Sequence, residues 1–535
     1  MKLLTRIKTL IGSAVLLMSC GHTASVPTTF SESDQQPITY PDYAGVTVPC
    51  NIAPLNFAIE IEANDYVTRI KAGQKEWIIG GQSVMIDPEY WEEMKQSGDR
   101  LSVEVFTEHD GKWIHHLPFP IHVSKDSIDP YISYRLISPS YVTYEGLTIN
   151  QRCLETFDES LIYGNMINTN EQDGQCINCH SFQQYDPNRM QFHVRQYLGG
   201  TVISYDGKTE KVDLKVAPGQ VSAGVYPAWH PTLPLIAYST NHTGQTFHTY
   251  DPQKIEVQDT YSDLILYDVE QHEVLPLEKD TNDLDCFPYW DPAGKYLYYC
   301  SAHYEQKDSS QSKEMDLIIN YQDVHYNLYR RSFDAESHTF GPREMVYDCA
   351  DTCSATLPRI SPDGRYLMFT RGDYGVFHIW HSSSELYLLP LQEDGASARC
   401  ITELNSPEVE SYHSWSSNGR WVIFSSRRYD GNFTRPFIAH FNADGTFDRP
   451  FELPQEDPRY HQMFLRSYNI PEFMKGPVTI RPQDLAVTIA GDTVNVTVSP
   501  LAPKTDATTG ATKQVDATTG ATKQADATTG ASPKK

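Results

Sequence analysis

Five consecutive residues carry the most specific chemistry in this chain. Cys176-Ile177-Asn178-Cys179-His180 sets two thiols three positions apart and an imidazole directly after the second. That spacing is the pattern of c-type haem attachment. Cys176 and Cys179 would form the thioethers, and His180 would bind the iron from the proximal side. A zinc site would need a second ligand pair at related spacing, and none is evident. A plain disulfide followed by a chance histidine is the bland alternative. A sixth iron ligand has two candidates in Arg189-Met190-Gln191-Phe192-His193-Val194-Arg195. His193 is preferred over Met190, because two imidazoles favour the ferric state and a lower potential. The flanks of the motif do not read as the helix of a small soluble cytochrome.

A second set of chemical groups lies at the far end. Asp506–Thr512 reads D-A-T-T-G-A-T, Asp516–Thr522 repeats it, and Asp526–Ser532 ends in Ser. Each block puts a hydroxyl directly after a Gly-Ala pair and six positions after an acid. Small residues let another protein's backbone approach closely, and an unstructured segment makes the hydroxyl reachable. A Thr-rich low-complexity linker is the bland reading. Such a linker has no need to keep Asp and Gly-Ala-Thr in phase.

These blocks resemble the motif modified by ApbE-type flavin transferases, D-x-x-S/T-G-A-S/T. The resemblance implies FMN esterified to Thr512, Thr522 and Ser532, up to three per chain. It covers only the tail, and the folded FMN-binding domain that usually carries the motif has no counterpart here. Ten-residue flexible spacings would separate neighbouring attachment points by roughly 17 Å. Tethering would hold flavin near the haem at around millimolar concentration.

The first twenty residues are an address. Lys2, Arg6 and Lys8 precede an apolar stretch, Leu10–Met18, too short to span a bilayer. Leu17-Met18-Ser19-Cys20 resembles the bacterial lipobox, which implies that Cys20 is lipidated after residues 1–19 are removed. Export and a membrane-face anchor follow, with the periplasmic side of the outer membrane as the expected location. Residues 20–39 read as a flexible tether. The net charge of −26 excludes nucleic acid as a partner. Ten cysteines leave seven after Cys20, Cys176 and Cys179. An odd remainder leaves one unpaired within the chain; Cys286 with Cys300 is a possible bridge, and Cys349 with Cys353 could close a loop.

The elements that must position these groups read as mainly β. Phe57–Glu62 and Leu101–Phe106 alternate apolar and polar, which predicts a small β-sandwich over 40–140. Residues 141–200 show poor periodicity and hold the haem motif. A degenerate repeat fills 201–480. Its copies are Tyr226-Pro227-Ala228-Trp229, Phe287-Pro288-Tyr289-Trp290, Leu357-Pro358-Arg359-Ile360 and Tyr412-His413-Ser414-Trp415. After each comes a turn, often Asp-Gly or Asn-Gly, and an apolar strand. The pattern resembles the TolB-like β-propeller repeat, P-x-W-S-P-D-G-K/R, which implies about six blades. The first copy lacks the Asp-Gly and the third has Ile360 in place of Trp. Residues 481–500 alternate and predict a terminal hairpin; 501–535 predict a disordered tail.

The combined expectation is an exported, lipid-anchored electron carrier with haem c and covalent FMN. Its partners would be the membrane, a cytochrome c maturation system, an ApbE-type transferase and redox proteins. No hydrolase, zincin or dinucleotide motif is present. The rival readings are a propeller scaffold docking an envelope or redox complex, and an oxidoreductase with its substrate site on the propeller.

Overall fold

The computed structural model describes residues 24–138, 146–169, 174–250, 253–277, 280–392 and 395–502. Cys20, Thr512, Thr522 and Ser532 therefore lie outside the described residues. No helix among the described residues is long and apolar enough to cross a membrane.

The architecture is mainly β. Near the N-terminus, a seven-stranded sheet is built around Arg100–His109, which pairs with Asp65–Ala72, Lys112–His115 and Phe119–Ser124. A three-stranded sheet of Thr39–Tyr40, Phe57–Ile59 and Ser83–Val84 lies beside it. One helix, Pro88–Ser97, begins with Pro88 in its first turn and Asp87 accepting from the Glu89 amide, the expected chemistry of a helix start. The helix places Trp91 and Met94 in the core shared by these sheets. That core does not stop at the N-terminal region. It continues into Ile132, Tyr134, Trp421, Ile423 and Phe451, so the N-terminal sheets are seated on the rest of the molecule through apolar burial.

Beyond residue 130 the described residues form four four-stranded antiparallel sheets and one nine-stranded sheet. The latter divides into two four-stranded antiparallel units with Thr497–Val498 added in parallel to Glu273–Pro276, making six units in all. The second unit runs Gln175–Phe182, Met190–Gln196, Gly200–Tyr205 and Lys208–Val212. The third begins at Val225–Trp229, the fourth at Asp283–Trp290, the fifth at Ser354–Ile360 and the sixth at Glu410–Trp415. The first unit is closed from both ends of the chain: Ser467–Met474 pairs antiparallel with Tyr131–Ile137, which continues to Thr148–Cys153 and Glu159–Gly164. The third and fourth units touch edge to edge through a parallel pairing of Ser262 with Leu284. The leading strand of each unit packs on that of the next, and Ser467–Met474 touches both the sixth and the second. The six leading strands therefore form a closed cycle.

One local device recurs in every leading strand. Cys179, Tyr226, Phe287, Leu357, Tyr412 and Ile470 all have φ between 46° and 55°, the left-handed region that side chains avoid. Each sits at a register shift against its neighbouring strand. A bulge leaves a residue outside the ladder, so proline is tolerated there. Pro227, Pro288, Pro358 and Pro471 follow four of the six bulge residues; His180 and His413 follow the others.

Four expectations need correction. The tether expected over 20–39 is not free where it is described: Ser31–Glu32 pairs parallel with Lys112–His115, and Thr39–Tyr40 pairs with Phe57–Ile59. Residues 141–200 are no separate haem-binding segment: they supply strands of the first and second units. Likewise Tyr131–Ile137 belongs to the first unit and not to an N-terminal sandwich. The hairpin expected over 481–500 is instead the helix Pro482–Ala490 followed by a short strand, Thr497–Val498. Leu485 and Ile489, four apart, are buried on one helix face, while Val487 between them is exposed. Alternation in a short window could not distinguish that arrangement from a strand.

Candidate functional site

The haem motif lies on the leading strand of the second unit. By ladder register Cys176 faces Arg195 and Asn178 faces His193, while Ile177 faces Val194. Strand alternation then sorts the candidates. Cys176, Asn178, His193 and Arg195 share one face of the sheet. Met190, Phe192, Val194 and Ile177 share the other and fill an apolar core. The structure thus brings His193 to the face carrying Cys176 and seals Met190 on the opposite one.

Cys179 and His180 form the bulge. Cys179 is buried, and burial raises its thiol above the ordinary value. Its carbonyl accepts from the Gln191 side chain, which pins the turn. His180 is also buried. Its imidazole is pushed down to about 3, first by desolvation and then by the nearby Arg135 guanidinium. It is neutral at any physiological pH. It lies near the carbonyls of Ser133 and Ile470, yet neither ring nitrogen reaches a partner at hydrogen-bonding geometry. An unpaired buried imidazole is costly. His193, likewise held neutral with its value near 3 by burial, pairs its Nδ1 with Thr201 Oγ1 at 3.2 Å.

The donor set fits a c-type haem. The match is one of residue type: two thiols and an adjacent neutral imidazole are the groups that iron and two thioethers require. The space on the axial side of the strand does not admit the macrocycle. There a cavity of only about 30 Å³ is lined by all six left-handed residues together with His180, Arg359 and Glu472. Small-molecule sites usually run to ~300–1,000 Å³.

A second, larger cavity of about 280 Å³ continues along the axis from the first. Arg359, Glu472 and Pro227 line both. Sequence reasoning assigned no role to Arg359 or Glu472. Two further copies, Cys179-His180-Ser181-Phe182 and Ile470-Pro471-Glu472-Phe473, were not legible as repeats, since neither has the following Asp-Gly or Asn-Gly turn. The signal was present as an apolar or sulfur residue, then Pro or His, then any residue, then a large apolar one.

No family model and no curated protein matches the chain. Solved structures with partial likeness include Kuenenia stuttgartiensis hydrazine synthase at 12% identity and TM-score 0.36, covering 63% of this chain and 48% of that one. A puromycin-hydrolyzing peptidase of Mycobacterium tuberculosis gives 8% identity and TM-score 0.30, with 75% and 49% covered. An ACO/RPE65 chimera gives 12% identity and TM-score 0.34, with 82% and 97% covered. The chain spans about half the length of the first two. None of the three reaches a TM-score of 0.5.

Proposed function

We propose that the six units are the blades of a six-bladed β-propeller, TolB-like in its repeat, with the N-terminal sheets as an appended sandwich. The closed cycle of leading strands and the recurring bulge support this. Pairing of Ser467–Met474 with Tyr131–Ile137 joins the two ends of the ring within one sheet.

We further infer that the chain is an exported, lipid-anchored electron-transfer protein, with one covalent haem at Cys176, Cys179 and His180 and FMN on Thr512, Thr522 and Ser532. One observation supports the haem part of this reading: the imidazole that follows the two thiols is buried and neutral, and neither nitrogen reaches a partner at hydrogen-bonding geometry. The anchor and the flavin rest on the sequence motifs. Haem would supply a one-electron site there, and flavin a carrier that accepts two electrons and releases them singly. The chain's own part is positional. Arg135 lies beside His180 and disfavours its protonation. Thr201 orients His193, which shares the Cys176 face and is the preferred distal ligand.

The test is maturation of the full chain with a cytochrome c assembly system and an ApbE-type transferase. The expected product keeps its Soret band through acid–acetone extraction. Its intact mass rises by up to three FMN, and truncation after Ala502 removes the flavin alone. Haem that extracts fully would overturn the haem assignment. An unclipped chain with no added flavin mass beside an active transferase would overturn the flavin assignment.

A further inference from the structure

The axial cavity holds two opposite charges, Arg359 and Glu472, that act on each other through space without forming an ion pair. Arg359 leans over the Tyr289 ring at 4.7 Å and gives one hydrogen bond, from Nη1 to the Pro358 carbonyl at 3.1 Å. Among the described residues no carboxylate lies within ion-pairing distance of it. Glu472, on the strand that closes the ring, has a carboxylate with no hydrogen bond and no ion pair among the described residues. Both side chains line the same 280 Å³ space. Other charges meet directly, as Arg69 with Glu104 or Arg428 with Glu410. A cation and an acid that form no ion pair around an open space are the usual sign of a ligand site.

We propose that this cavity binds a small organic carboxylate, with Arg359 as its charge partner and Glu472, in its acid form, as a hydrogen-bond donor to the ligand. A planar guanidinium matches a carboxylate through two parallel N–H donors. The walls fix the rest of the ligand: Phe182, Tyr289 and Trp290 offer apolar and aromatic surface, and Ser414 a hydroxyl. The volume is at the low end for small-molecule sites, so the tail is short, of a few carbons or a single ring.

The same geometry makes binding depend on pH. Burial pushes Glu472 up to about 7, and Arg359 offsets only part of that. The other groups facing it are known. Lys475 lies over the Tyr185 ring at 5.5 Å. Burial raises Tyr185 and Tyr289, keeping both phenols neutral. Asp129 is held by the Ser417 amide and hydroxyl, each at 2.6 Å. His180 and Cys179, on the far side, are neutral through burial. Asp291 lines the cavity rim and binds the Lys295 and Tyr296 amides. Above pH 7 an ionised Glu472 repels an incoming carboxylate; below it the repulsion goes and the acid can donate. Full linkage to a single proton over pH 8 to 6 changes affinity by about tenfold.

The experiment is calorimetric titration of the full chain with propionate and benzoate, in buffers free of carboxylate, at pH 6 and pH 8. Saturable binding, about tenfold tighter at pH 6, is expected. Glu472→Gln should bind with the pH difference abolished. Arg359→Gln should lose binding while keeping its melting temperature; if that variant fails to fold, Arg359→Lys should bind more weakly. No saturable binding of either probe by folded wild type would overturn the proposal. So would binding untouched by both Arg359 substitutions, or tighter binding at pH 8. Haem and flavin content are read separately, so failure here leaves the electron-transfer reading standing.

Discussion

Two bulges in the ring carry a histidine where the other four carry proline, and they differ in one respect. In the sixth unit Tyr412 precedes His413, and His413 Nε2 pairs with the Met368 carbonyl at 3.0 Å. In the second unit Cys179 precedes His180, and neither nitrogen of that ring finds a partner. Both rings are buried, and both are pushed down to about 3 by desolvation. The first is a structural histidine serving a neighbouring strand. The second has the same place in the fold, lies near the Ser133 and Ile470 carbonyls without reaching either at hydrogen-bonding geometry, and alone follows two thiols. A repeat position that every other unit fills with packing or hydrogen bonding is, in the second unit, available for chemistry.

The sharpest way to break this contrast is through the thiols. Replacing Cys176 and Cys179 together by Ala should abolish acid-stable haem, read as a Soret band lost on acid–acetone extraction. His413→Leu should keep that band in full. Equal loss in both would make the two bulges alike and remove the special status of the second unit.

Acid titration comes next in size. In the folded haem-free chain both imidazoles stay neutral down to about 3, whereas an unfolded histidine takes its proton near 6.5. Their contribution is therefore whole above pH 6.5 and is lost as pH falls from 6.5 towards 3. Each accounts for about 1.4 kcal/mol per pH unit in that window. His180→Leu and His413→Leu should each flatten the slope of unfolding free energy against pH by that amount. Denaturant melts between pH 6 and pH 4 measure it, and an unchanged slope in either variant would show that its ring is already charged.

At neutral pH the two substitutions should part. His413→Leu leaves the Met368 carbonyl buried and unpaired, costing about 1–3 kcal/mol. His180→Leu removes two unsatisfied nitrogens and should be near neutral or stabilising without haem. Urea midpoints of the haem-free protein test this; a larger loss for His180→Leu would mean that the ring has a hidden partner.

The smallest effect concerns the second shell of the same unit. Thr201→Val removes the hydroxyl that meets His193 Nδ1 and should cost about 1 kcal/mol. If His193 binds iron, the variant's haem spectrum should also shift towards high spin, and His193→Ala should shift it fully. A spectrum that responds to Met190→Ala instead would require the core around Phe192 and Val194 to open.

Residues close in sequence made much of this readable in advance. The alternation of Leu101–Phe106 and the Pro-x-Trp copies at Trp229 and Trp290 predicted strands and a repeat, because side-chain period and turn chemistry are local. The Cys176, Cys179 and His180 motif was legible for the same reason, since it is defined by spacing alone. Local pattern failed at Pro482–Ala490, where burial of Leu485 and Ile489 against the second unit selected helix over hairpin. It failed also at Tyr131–Ile137, which pairs with Ser467–Met474, more than three hundred residues away.

The sequence by itself determined which residue types stand at which spacing: two thiols and an imidazole at Cys176, Cys179 and His180, and three repeated hydroxyl blocks near the C-terminus. Only the tertiary structure decided whether that imidazole finds a hydrogen-bond partner. Pairing partners come from other strands, so nothing local in His180 or His413 tells the unpaired ring from the paired one. The same holds for Arg359 and Glu472, which lie more than a hundred residues apart and meet only because the ring closes around its axis. Burial, and the lack of a partner within it, is a property of that closure.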